Sequence, residues 1–271
     1  MTIKNFLITI ASLHAIAAVH AAPTVASGTI TTDCVNVRLQ GLWLVADCWT
    51  GQDKTTRIQS TVFLPPKITN REGNLEWKVQ GAYPRYCTEC KLIEISKLNC
   101  KCRPSGGPSK VSTIDLSDHI RNYNGHLRSD LAGPVTIPSN SSTVKIPENI
   151  RWGLSVGGTS CYSPDPEACK SFPDPPVTDL TCPANDYTYS TDGAPTCSSK
   201  VVPIHGPIYE QFRSLRVNGN ERAWDFVVYD NPDCKGPDVG RVDNSEWGKC
   251  KVFPKSMLGV NVIPLWNADT T

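Results

Sequence analysis

Between residues 33 and 78 apolar and polar side chains alternate. Val35, Val37 and Leu39 are interleaved with Asn36, Arg38 and Gln40; Gly41 breaks the run, and Leu42, Leu44 and Ala46 then lead to Cys48. A period of two on each side of a glycine predicts two strands joined as a hairpin. Arg57 to Leu64 predicts a further strand, with Ile58, Val62 and Leu64 on one face, and Asn70 to Gly73 supplies a turn before Leu75-Glu76-Trp77.

This layout repeats. Cys34 has a leucine five residues on, Leu39, and Cys87 has Leu92 at the same distance; Leu44 stands four residues before Cys48, and Leu98 four before Cys102. Thr61-Val62-Phe63-Leu64 with Ile68, Asn70, Gly73 and Leu75 matches Thr113-Ile114-Asp115-Leu116 with Ile120, Asn122, Gly125 and Leu127, every pair separated by 52. A unit of roughly fifty residues is too small to hold a core of its own, so two such units are expected to pack or exchange strands into one domain of about 100 residues. In the second unit Ser117-Asp118-His119-Ile120 reads as one helical turn capped by Ser117, and Asn124-Gly125 is a turn dipeptide. His119 is expected to be packed or capping and His126 solvated, since neither has a partner at metal-ligand spacing.

The later half of the chain reads differently. Residues 131–203 are rich in Pro, Asp, Ser and Thr, with cysteines at 161, 169, 182 and 197, and are expected to form a stapled connector with little core. Asn140-Ser141-Ser142 is an acceptor sequence for N-glycosylation at Asn140. In residues 204–271, Phe212 to Val217, the turn Asn218-Gly219-Asn220 and Ala223 to Tyr229 predict a hairpin whose second strand is apolar on both faces; Gly259 to Trp266 predicts another strand. A bridge from Cys234 to Cys250 is expected to close the loop between them, giving a small, disulfide-stapled β domain.

Composition narrows the function. Residues 1–21 have one charge, Lys4, an apolar run from Phe6 and small side chains at Val19 and Ala21, the pattern of a secretory signal peptide; the run is too short and too interrupted for membrane insertion. The 271 residues contain 27 Lys+Arg against 26 Asp+Glu, a balance that argues against nucleic acid as partner. Twelve cysteines on a secretory route read as disulfides in an extracellular protein. Cys87-Thr-Glu-Cys90 has the spacing of half a zinc site, but Cys100-Lys-Cys102 does not complete it, and no metal or other cofactor is expected. G-x-S-x-G, H-E-x-x-H and phosphate-binding glycine motifs are missing, so an enzyme is not the expected class.

The pattern Cys34, Asn36, Leu39, Gly41, then Leu44, Ala46, Cys48, then Leu64, Ile68, Asn70, Gly73, Leu75, Trp77, run again through Cys87, Leu92, Leu98, Cys102, Leu116, Ile120, Asn122, Gly125 and Leu127, resembles the cyanovirin-N homology (CVNH) domain, a lectin family. The resemblance implies an all-β fold in which two tandem, pseudo-symmetric, strand-exchanged half-domains (33–78 and 86–130) make one cyanovirin-N-like lectin domain, 33–130. The connector and the small β domain follow it. It implies bridges Cys34–Cys48 and Cys87–Cys102. Cys90 and Cys100 are extra to the pattern; they fit a second staple only with a bulge, because alternation puts Cys87 and Cys90 on opposite faces while Cys100 and Cys102 share one.

The family binds mannose-rich glycans in shallow polar pockets at the two ends of the domain, so the resemblance implies mannose-containing glycans or glycoproteins as partners. Turn amides, carboxylates and hydroxyls pair with sugar hydroxyls at low desolvation cost. Carried onto matching positions, one pocket gathers Thr32, Asp33, Trp49, Thr50, Gly51, Gln52, Asn122, Tyr123 and Asn124. The other gathers Thr69, Asn70, Arg71, Glu72, Tyr86 and Arg103, and is the weaker expectation because Arg103-Pro104-Ser105-Gly106-Gly107-Pro108 stands where the family carries longer polar side chains. The sequence therefore points to a secreted, non-catalytic carbohydrate-binding protein. The alternative is a secreted structural or host-interaction protein whose lectin-like fold has lost sugar binding.

Overall fold

The computed structural model describes residues 27–51, 55–157, 187–191, 193, 195–198, 212–218, 222–243 and 245–270. The expected signal peptide, Gln52 and Cys161, Cys169 and Cys182 lie outside them. The described chain is built from strands, with one short α-helix at Ile30–Asp33.

The repeat folds as two matching three-stranded sheets and two hairpins. After β1 (Ser27–Thr29), the first repeat supplies β2 (Cys34–Gln40), β3 (Trp43–Trp49) and β4 (Arg57–Phe63), then the hairpin β5 (Ile68–Arg71) and β6 (Asn74–Trp77). The second supplies β7 (Cys87–Ile93), β8 (Lys97–Cys102) and β9 (Lys110–Asp115), then the hairpin β10 (Ile120–Tyr123) and β11 (His126–Ser129). The hairpins cross over: β6 lies against β9 and β11 against β4. Two equivalent hydrogen bonds fasten them, from the Leu75 N–H to Ser112 Oγ and from the Leu127 N–H to Ser60 Oγ, both 2.9 Å. The exchange lets Leu44, Val62, Leu64, Ile68 and Leu75 share one core with Leu98, Leu116, Ile120 and Leu127, which neither half could bury alone.

The bridges Cys34–Cys48 and Cys87–Cys102 are present, and so is Cys90–Cys100. A register shift between Thr88 and Lys91, with Glu89 at φ +53°, supplies the bulge that turns Cys90 toward Cys100. The turn at 116–118 is a 3₁₀ helix capped by Asp115, whose carboxylate accepts the Ser117 N–H; Ser117 is not the cap. His119 packs edge-on against Trp77 and bonds Asp130 at 2.8 Å. His126 is not solvated: it is 2 % exposed, with Nε2 3.2 Å from Ser141 Oγ, and burial pushes its pKa down to about 4.

Beyond residue 150 two antiparallel four-stranded sheets face each other. Introduced in chain order, their strands are β12 (Trp152–Gly157), β13 (Tyr187–Thr191), β14 (Thr196–Ser198), β15 (Phe212–Asn218), β16 (Trp224–Tyr229), β17 (Gly240–Val242), β18 (Cys250–Met257) and β19 (Gly259–Pro264). One sheet runs β13-β12-β15-β18 and the other β14-β19-β16-β17. Strands β12, β13 and β14 lie in the stretch expected as connector, so that stretch is partly sheet. The expected hairpin of 212–229 is not formed. Its two strands belong to different sheets, because β16 is buried on both sides between β17 and β19 while β15 pairs with β12 and β18. Nor do Cys234 and Cys250 bridge: Cys234 pairs with Cys197 of β14, whereas Cys250 opens β18 in the opposite sheet and is disulfide-bonded elsewhere.

The sandwich is not separate from the CVNH-like part. Trp43, Val45 and Phe63 point away from the exchanged core and join Trp152, Trp224, Phe226 and Trp266 in the sandwich core. Trp43 Nε1 donates to the Gly193 carbonyl at 2.9 Å, and its ring packs edge-on against Trp224 and Trp266. The chain then ends in β20 (Ala268–Asp269), a parallel fourth strand on β4. Asp269 forms an almost fully buried ion pair with Lys67 at 3.3 Å and accepts the Ser129 N–H at 2.7 Å. Asn267 bonds Gln59 and Ser142.

Candidate functional site

The turn between β5 and β6 has Glu72 at φ +49° and Gly73 at φ +81°, consecutive left-handed positions that a tight hairpin demands. The Asn70 side chain holds this turn in place. Its Oδ1 accepts the Gly73 N–H at 2.9 Å, and its Nδ2 donates to the Arg103 carbonyl at 2.6 Å. One amide thus ties the first repeat's hairpin to the segment that leaves the second repeat's Cys102. Arg103 in turn donates its N–H to the Tyr86 carbonyl at 2.8 Å.

Around these bonds Asn70, Glu72, Tyr86, Arg103, Pro104 and Ser105 line an open cleft of about 360 Å³. Ser105 donates its N–H to one Glu72 carboxylate oxygen at 3.1 Å and its hydroxyl to the other. Those hydrogen bonds hold the Glu72 carboxyl below its ordinary pKa, so it is ionised and fixed at neutral pH. Tyr86 is 57 % exposed and lines the cleft with Asn70, Glu72 and Arg103. A pyranose fits such a lining, since its C–H face covers an aromatic ring while its hydroxyls pair with the polar groups. Thr69 and Arg71 flank the turn without lining the cleft; Arg71 reaches Glu76 at 3.6 Å. Ser105 was missed among the expected residues. It stands as far after Cys102 as Gly51 stands after Cys48, a signal that was available.

At the other end the same construction recurs. Asn122 Oδ1 accepts the Gly125 N–H at 2.8 Å, and its Nδ2 donates to the Trp49 carbonyl at 2.9 Å and to Asp33 Oδ2 at 3.2 Å. Asn124 and Gly125 take the left-handed conformations that Glu72 and Gly73 take in the first hairpin. Thr32 bonds Asp33 at 2.9 Å, and the Arg57 guanidinium lies 4.2 Å over the Trp49 ring. The structure therefore brings Thr32, Asp33, Trp49, Thr50, Gly51, Asn122 and Asn124 to one end. Tyr123 is half-buried beside them, and burial raises its phenol pKa. Among the described residues no group of three or more His, Cys, Asp or Glu gathers to hold a metal ion.

Comparison with known proteins places this architecture. The CVNH domain model matches residues 31–128. Similar solved structures include the CVNH protein of T. borchii, at 29% identity over 36% of this chain and 96% of that one, with a TM-score of 0.32. The CVNH protein of Gibberella zeae is 22% identical over 36% of this chain and 94% of that one, with a TM-score of 0.32. Microvirin in complex with mannobiose is 23% identical over 38% of this chain and 98% of that one, with a TM-score of 0.33. The repeat, the exchanged hairpins and the two bridges agree with the family match, and residues 31–128 of this chain are a CVNH domain.

Proposed function

We propose that this protein is a secreted, non-catalytic carbohydrate-binding protein whose CVNH domain takes mannose-rich glycans in the cleft formed by Asn70, Glu72, Tyr86, Arg103, Pro104 and Ser105. The observation that carries this reading is the cleft itself, with a fixed, ionised Glu72 and an exposed Tyr86 ring at a position where a polar turn meets the post-cysteine segment. Membership of residues 31–128 in a lectin family supports the ligand class. Four described disulfides support an oxidising compartment, and the exposed Asn140 is compatible with a glycan on the protein itself.

The test is a glycan array probed with the full mature chain and competed with free α1,2-linked mannobiose. Retention on mannose-rich glycans that mannobiose displaces, and that Tyr86→Ala weakens at least tenfold, is the expected result. Absence of binding to every mannoside overturns the reading.

A further inference from the structure

The register of the repeat assigns each residue lining the cleft a counterpart in the other half: Asn122 for Asn70, Asn124 for Glu72, Asp33 for Tyr86, Trp49 for Arg103, Thr50 for Pro104 and Gly51 for Ser105. We infer that this first-half counterpart has become a closed structural joint, so that the protein binds glycan at one site per chain and coats its target rather than cross-linking it. The inference rests on the reading of the cleft as a glycan site.

Four observations separate the two ends. Where the cleft has the exposed Tyr86, the joint has Asp33, whose carboxylate is taken up by the Asn122 amide and the Thr32 hydroxyl. Where the cleft has Arg103, whose guanidinium bonds nothing among the described residues, the joint has Trp49. Arg57 covers one face of that indole and ties the Asp33 and Asp47 carbonyls at 2.7 and 3.1 Å. The residue matching Arg57 in the second half is Ser109, too short to cover anything. Finally, β1 adds a third strand to the β10–β11 hairpin, with Gly28 directly opposite Asn122, and leaves Asn122 3 % exposed. A side chain at Gly28 would collide with the Asp33 carboxylate, so the strand and the carboxylate are packed as one unit. The β5–β6 hairpin has no such third strand among the described residues.

Asn70 and Glu72 of the cleft are paired much as Asn122 and Asp33 are; the ends differ in that the cleft also offers the Tyr86 ring exposed and the Arg103 guanidinium free, whereas at the first end Arg57 already covers the indole and β1 covers Asn122. Asn122, buried and already paired, gains little from a new partner.

Isothermal titration of the full chain with α1,2-linked mannobiose, repeated on Tyr86→Ala and Asn124→Gly, tests this. Glycine keeps the left-handed backbone of Asn124 while removing its side chain. The expected result is one site per chain, affinity reduced at least tenfold by Tyr86→Ala, and affinity and stoichiometry unchanged by Asn124→Gly. Two sites per chain, or binding that survives Tyr86→Ala and falls with Asn124→Gly, overturns the single-site inference and leaves glycan binding standing. Absence of binding in the parent chain overturns both.

Discussion

The two halves of the CVNH domain share a backbone plan but differ on their outer faces. In the first half, Trp43, Val45 and Phe63 point out of the exchanged core; at the matching register the second half has Lys97, Asn99 and Asp115. One outer face is the floor of the C-terminal sandwich, the other meets water. The staples differ in the same sense. Cys90 and Cys100 of the free half match Val37 and Ala46 of the covered one, so a disulfide stands where the covered half relies on packing. A duplicated unit can therefore be specialised without altering its strand order, by changing every second residue of a strand.

The largest effect is expected at Trp43. Trp43→Ala removes a fully buried indole from the junction of both cores and should cost about 3–5 kcal/mol in chemical denaturation. The matched change Lys97→Ala, which removes only a surface pair with Glu94, should stay within about 0.5 kcal/mol. Equal costs at the two positions would break the comparison.

Next comes the tail. Asp269→Ala leaves Lys67 buried without its counter-charge; burial already pushes the Lys67 pKa down, and loss of Asp269 should push it further and cost on the order of 3 kcal/mol. His119, at the Lys67 position of the other half, is partly exposed, with an edge-on contact to Trp77 and a bond to Asp130, so His119→Ala should cost less, about 1 kcal/mol. Denaturant midpoints of the two variants decide this.

A smaller effect is expected from pH. The His126 pKa falls from its ordinary 6.5 to about 4 on folding, so between those values the unfolded chain binds more protons than the folded one. Stability should decline as pH drops from about 6.5 to about 4, by on the order of 2 kcal/mol, and His126 should contribute no further slope below that. Its counterpart Asn74 is exposed and does not titrate. His126→Asn should flatten the decline in a pH series of melting curves; an unchanged slope would remove His126 from the account.

The repeat was legible because its signals are local: alternation in 35–48, the Asn-x-x-Gly turns at 70–73 and 122–125, and cysteines in fixed register. Cys90–Cys100 was legible once a bulge was allowed. What escaped the sequence lies in long-range partners. Leu42-Trp43-Leu44-Val45-Ala46 is apolar on both faces, a sign of two-sided burial, but nothing nearby names residues 224 and 266 as the cover. His126 reads as solvated because Ser141 and the tail that buries its surroundings lie far along the chain. The Asn218-Gly219 turn signal lost to strands β12 and β18, remote in sequence, which compete for β15. At the candidate site, residue types were legible and openness was not. The first end looked richer in polar side chains, yet Arg57 covers its indole and β1 covers Asn122, while the second end, with Ser105 and Pro104, leaves a cleft.

The central claim is that one half carries the sandwich and the other carries the sugar. Amide chemical-shift mapping of the full chain during titration with mannobiose tests it most directly. Shifts confined to residues 70–73, 86 and 103–105 are expected, with 49–51 and 122–125 unmoved; shifts centred on 49–51 and 122–125 would contradict it.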